Sequence, residues 1–235
     1  MPRHRLLLAP LALAIVMLVG CKDPTGLPYN RVHAATLDTL TIPICFLQNF
    51  TGYVNNIKEG NPITGRFETH YADTIRWGNF CDPNRRPYHE EDWRGFGTFM
   101  VPPFSSSQNL PVCTLHFYVS GYYQYDEDSI QINHFIPSYW TWAPESLFKA
   151  IDSSTATLAK DTSPLSTGWH KVALTTQGCG IIATYGAKAD SAGQSVALYT
   201  GWKFLHYYYD YWHTEVVGPA EAVSPYIVVI YHPDP

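Results

Sequence analysis

The chain has 235 residues, with 15 Lys and Arg against 20 Asp and Glu, for a net charge of −5 at pH 7. That length suits one large domain. The acidic balance excludes a phosphate-tracking nucleic-acid binder, which needs a basic stripe to displace counterions. Only 15% of residues are charged while tyrosines alone number 17, a composition that fits a compact β protein rather than a long helical or disordered one.

In chain order, a short basic lead (Arg3, Arg5) precedes an apolar run from Leu6 to Val19 that is too short to span a membrane. The run ends in Leu18-Val19-Gly20-Cys21, small residues before a cysteine. This ending resembles the lipobox of bacterial lipoprotein signal peptides; the alternative is an ordinary secretory signal with a chance cysteine. The resemblance implies that residues 1–20 are cleaved and that Cys21 becomes a lipidated first residue. The protein would then be anchored to the lipid bilayer in a bacterial cell envelope. Lys22 differs from the aspartate that retains some enteric lipoproteins in the inner membrane, which points to the outer one. Residues 21–35, with Pro24, Gly26 and Pro28, read as a flexible tether, and 36–235 as a single folded domain.

Within that domain the dominant period is two. Thr39 to Cys45 alternates as a strand, and Pro43, which cannot donate to a ladder, predicts an edge or a bulge. Asn49-Phe50-Thr51 matches a glycosylation acceptor of little weight in a bacterial lipoprotein. Phe67 to Trp77 is a β-rich run, whereas Cys81 to Asp92, with Pro83 and Pro87, reads as a long surface loop. Gly95 to Val101 is a strand whose glycines allow close backbone approach or a bulge. Val112 to Val119 is the clearest strand: Cys113, Leu115, Phe117 and Val119 point one way and Thr114, His116 and Tyr118 the other. Ser129 to Ile136 follows, with Ile130, Ile132 and Ile136 on one face. One short helix is predicted near 144–152, from Pro144 at its first position, Glu145 on its dipole and the stripe Leu147, Phe148, Ile151. Trp169 to Leu174, Ser195 to Trp202 and Pro225 to Tyr231 supply further strands. The pattern predicts an all-β fold.

Arg94-Gly95-Phe96-Gly97-Thr98-Phe99, a proline-bounded gap and Cys113-Thr114-Leu115-His116-Phe117-Tyr118 resemble a region of DNRLRE-type domains. Pro225-Tyr226-Ile227-Val228-Val229-Ile230-Tyr231 is similar to their last strand. The resemblance implies a jelly-roll β-sandwich related to alginate-binding modules. It carries over a fold and no binding residues, since Cys113 and the aromatic run near Tyr208 depart from the pattern.

Four cysteines remain beside Cys21: Cys45, Cys81, Cys113 and Cys179. An even number in an exported chain favours two disulfides, and Cys45–Cys81 with Cys113–Cys179 is the preferred pairing. Zinc is the weaker reading, because none sits in a C-x-x-C pair. Nucleophile elbows and phosphate loops are absent, and His89-Glu90-Glu91 lacks the second histidine of a zincin helix. Glu90, Glu91 and Asp92 read as a solvated loop first and as hydrolase carboxylates second. Asp126, Glu127 and Asp128 form an acidic turn that is a candidate calcium site, calcium being the one cofactor the composition suggests. The densest aromatic stretch, Lys203 to His213, predicts a strand rather than a helix. Tyr207, Tyr209 and Tyr211, with Asp210 beside them, are the candidate ligand platform. Two functions follow: a noncatalytic glycan- or surface-binding envelope module, or a structural and adhesive lipoprotein with a protein partner. A glycan-active hydrolase is the third and weaker one.

Overall fold

The computed structural model describes residues 37–45, 51–72, 74–82, 88–106, 111–123, 130–137, 143–162, 165–204, 212–217 and 223–233. Twelve strands lie in these segments: β1 (Asp38–Pro43), β2 (Gly52–Gly60), β3 (Thr64–Tyr71), β4 (Thr74–Asp82), β5 (Tyr88–Val101), β6 (Val112–Tyr123), β7 (Ile130–His134), β8 (Ala156–Asp161), β9 (Gly168–Ala173), β10 (Val196–Phe204), β11 (Trp212–Val217) and β12 (Tyr226–Tyr231). They are joined by two helices, which we call α1 (Pro144–Ser153) and α2 (Thr176–Ala192).

The fold is an all-β sandwich of antiparallel strands. In one layer β6 has β12 and then β11 along one side and β9 along the other, and β1 lies outside β12. In the other, β5 carries β4 and then β10 along one side, and β10 continues into β7 and β8. β11 joins the layers by pairing with both β6 and β4. The core between them is large and aromatic: Phe117 of β6 meets Trp202 of β10 edge-on at 5.5 Å, and Trp202 lies 5.5 Å from Trp77 of β4. All three rings are fully buried, and this desolvated apolar area is the main stabilising term.

β1 ends the strand order, so Pro43 occupies an edge as expected. Gly95 and Gly97 allow the close approach that their sequence suggested. A Cβ on Gly95 would stand 2.4 Å from Ile75 Cγ2, and one on Gly97 2.8 Å from Ile44 Cδ1. The first half of β5 pairs with β2, which pairs in turn with β3. α1 covers this extension, packing Leu147, Phe148 and Ile151 onto Val54 and Phe96. As predicted, Pro144 starts that helix and Glu145 lies in its first turn, where it also takes Lys149 at 2.6 Å.

The β-rich run Phe67 to Trp77 falls in two strands, β3 and β4. Three expectations are corrected. Cys81 to Asp92 is not a long loop, because β4 continues to Asp82 and β5 begins at Tyr88; on β5, Glu90 pairs with Lys58 and His89 with Glu59 of the neighbouring β2. Ile136 does not share the core with Ile130 and Ile132: β7 ends at His134, Phe135 takes the buried place against α1, and Ile136 is exposed. A second helix, α2, stands where none was predicted. Thr175 caps its start, accepting from Gly178 N at 2.9 Å, and Gly193, at φ 64°, closes its end.

Candidate binding surface

The outward face of β6 carries Thr114, His116 and Tyr118, opposite the core-facing Cys113, Leu115, Phe117 and Val119. This is the alternation expected from the sequence. Pairing adds what alternation alone cannot: Trp169 of β9 lies across from Tyr118, Lys171 of β9 and Tyr226 of β12 flank His116, and Ala173 and Val228 flank Thr114. Three strands thus present one surface, with aromatic rings concentrated at the Tyr118 end.

The rings support one another. Tyr226 stacks on His116 with centroids 4.7 Å apart and planes 9° from parallel. Trp169 meets Tyr118 edge-on at 5.8 Å and also reaches Tyr226 at 5.9 Å. Trp169 and Tyr226 sit on strands separated by β6, about 9–10 Å apart by two inter-strand spacings. The indole therefore leans over β6, held at its rim by two tyrosines. It is nevertheless 50% exposed. A large ring fixed on two sides and open on a third loses little conformational freedom when a ligand stacks on it. Burial, with the charge of Lys171 beside it, holds the His116 imidazole below its ordinary pKa. This favours the uncharged imidazole, which has one donor and one acceptor nitrogen for hydroxyl groups.

The carboxylates behave differently. On β5, Glu90 and Glu91 are neighbours and so face opposite sides of the sheet, which prevents them from flanking one scissile bond. Glu90 accepts from Lys58 Nζ at 2.7 Å and from the Tyr88 hydroxyl. Burial raises its pKa, but these two hydrogen bonds outweigh that and hold it low; the same bond to Glu90, with burial, pushes the Tyr88 hydroxyl up. Glu91 contacts His89 at 2.8 Å and Asn55 at 3.3 Å. Glu59 and Glu68 both take Arg66. Asp92 is buried rather than solvated; burial raises its carboxyl and the nearby Arg94 guanidinium opposes that. The group combines cross-strand contacts (Lys58–Glu90, Asn55–Glu91, Arg66–Glu59) with contacts along one strand (Tyr88–Glu90, His89–Glu91, Arg66–Glu68), and the reading of Glu90 to Asp92 as a solvated loop is corrected accordingly.

Neither a family model nor a curated protein matches the chain. The site therefore rests on its geometry.

Of the residues singled out in the sequence, Cys21, the acidic turn Asp126-Glu127-Asp128 and the platform Tyr207, Tyr209, Asp210 and Tyr211 lie outside the described residues. Among the described residues no group of three or more His, Cys, Asp or Glu is placed to hold a metal ion, and no helix is long and apolar enough to cross a membrane. Cys81, Cys113 and Cys179 are free thiols, so the expected Cys45–Cys81 bond is not formed; the Cys81 sulfur instead lies 4.0 Å from the Tyr88 hydroxyl. Cys113 and Cys179 are brought together as expected, but as thiols in hydrogen-bond contact. The surface built on Trp169 and Tyr226 went unnoticed in the sequence. Its one legible signal was the polar and aromatic side of β6; which strands flank β6 is a matter of topology.

Proposed function

We propose that this chain is a lipid-anchored envelope protein that binds glycan without catalysis, through the surface formed by β9, β6 and β12. The observation that carries the reading is Trp169, half exposed yet gripped by Tyr118 and Tyr226. The C–H faces of sugar rings are apolar and stack on such an indole, while their hydroxyls can reach His116, Thr114 and Lys171. Anchoring through Cys21 would set this surface at the bilayer, where envelope and extracellular polysaccharides are within reach. The likeness to DNRLRE-type domains agrees with a binding role.

A protein partner is the second reading. It is favoured by Val112, 65% exposed, and its cross-strand neighbour Ile230, 38% exposed, which extend the same layer with aliphatic surface. A glycan array probed with the soluble chain lacking residues 1–21 separates the two. Saturable retention on one class of polysaccharide is the expected result, and no retention across the array would favour the protein partner.

A further inference from the structure

Two cysteines far apart in sequence meet in the core. Cys113 lies on the inward face of β6, and Cys179 in the first turn of α2. Several contacts fix their approach. Leu174 N donates to Cys113 O at 2.9 Å, the next residue, Thr175, donates to Leu158 O at 2.8 Å, and Cys179 N donates back to Thr175 O at 2.9 Å. Gly178 lies so close to β8 that a Cβ there would stand 2.3 Å from Leu158 O. The start of α2 is therefore pinned against β8 and the end of β9, and its first turn holds the Cys179 thiol on that of Cys113.

From this contact we infer that Cys113 and Cys179 form a disulfide that fastens α2 to β6, the strand whose outer side carries His116 and Tyr118. Of the other described cysteines, Cys81 is engaged at the Tyr88 hydroxyl and Cys45 is not a free thiol. The two thiols are also unequal. Hydrogen bonding from Cys113, aided by backbone N–H groups and opposed by burial, lowers Cys179 to about 7, whereas the same bond and burial push Cys113 well up. Cys179 is thus the attacking sulfur.

The oxidant is another disulfide. The Cys179 thiolate attacks one of its sulfurs, forming a mixed disulfide and expelling a thiolate. Cys113 then gives up its proton and attacks the Cys179 sulfur, expelling the second thiolate. Two protein S–H bonds are replaced by one S–S bond, and the oxidant leaves as two thiols. Both cysteines are nearly sealed from solvent, at 1% and 6% exposure. Exchange therefore proceeds as the reduced chain refolds, once the first turn of α2 has met β6 and before the core has closed over the two sulfurs.

The test is refolding of the reduced, denatured full chain in a glutathione redox buffer. Remaining thiols are then alkylated in denaturant and the protein digested without reduction. A Cys113–Cys179 peptide lighter by two hydrogens, together with an alkylated Cys81, is expected. Both residues alkylated, a stalled glutathione adduct on Cys179, or either residue bonded to Cys81 would overturn the proposal. The melting midpoint supplies a second readout: reduction should lower it by about 5–15 °C more in the wild type than in Cys179→Ala. Equal shifts in the two proteins would count against the bond. Neither measurement involves glycan, so the outcome is independent of the proposed function.

Discussion

Arg94 offers a test of how the sandwich holds α1. Its side chain is 3% exposed. Nε donates to Asp152 Oδ1 at 3.0 Å, Nη1 donates to the Trp93 carbonyl at 3.1 Å, and the guanidinium carbon stands 4.7 Å from the centre of the Phe148 ring. Its partner Asp152, at the end of α1, is 46% exposed. The two halves of this ion pair should therefore contribute unequally. Arg94→Ala removes a donor from Trp93 O, opens space under Phe148 and leaves Asp92 buried without its nearby positive charge; losing such a buried half costs about 3–5 kcal/mol. Asp152→Ala removes a hydrated carboxylate, while Asp92 remains as a counter-charge, so its cost is ~1 kcal/mol or less. Urea denaturation followed by tryptophan fluorescence measures both. Losses equal within about 0.5 kcal/mol, or a larger loss for Asp152→Ala, would refute the reasoning.

Three further outcomes follow. Gly186→Ala would place a methyl 2.3 Å from Phe104 Cε1, so it should destabilise by about 1–3 kcal/mol through overpacking, read as a lower urea midpoint. His134 donates from Nδ1 to Tyr199 O at 3.0 Å and accepts the Tyr185 hydroxyl on Nε2 at 3.2 Å, and burial holds its pKa below the ordinary histidine value. Its stabilising contribution is complete above that ordinary value and is lost as pH falls through the lowered one, so a plot of stability against pH should have a shallower acid limb in His134→Asn. Cys21→Ser should abolish labelling by a palmitate analogue in a bacterial host; equal label on the variant would end the lipid-anchor reading.

Large alternating residues made β6, β10 and β12 legible in the sequence, and α1 announced itself through Pro144, Glu145 and three bulky apolar residues. α2 did not, because its buried side is Gly178, Cys179, Ile182, Gly186 and Ala189. Small residues give a weak periodic signal, and their reason for being small, Leu158 and Phe104 pressed against them, lies far away in sequence. The caps Thr175 and Gly193 were the readable clues. β5 was half missed for the opposite reason: Glu90, Glu91 and Asp92 look like loop residues until cross-strand partners such as Lys58 are in place. The candidate surface was legible only as the outward side of β6, since strand order, which brings Trp169 and Tyr226 to it, is not written in local pattern.

The most direct test of the glycan reading is titration of Trp169→Ala against the polysaccharide that the wild-type chain retains best. Trp169 is half exposed, so the variant should keep its circular dichroism spectrum. Its affinity should fall roughly thirty-fold, ~2 kcal/mol, as for a central aromatic contact. An unchanged affinity in the folded variant would contradict the assignment of this surface.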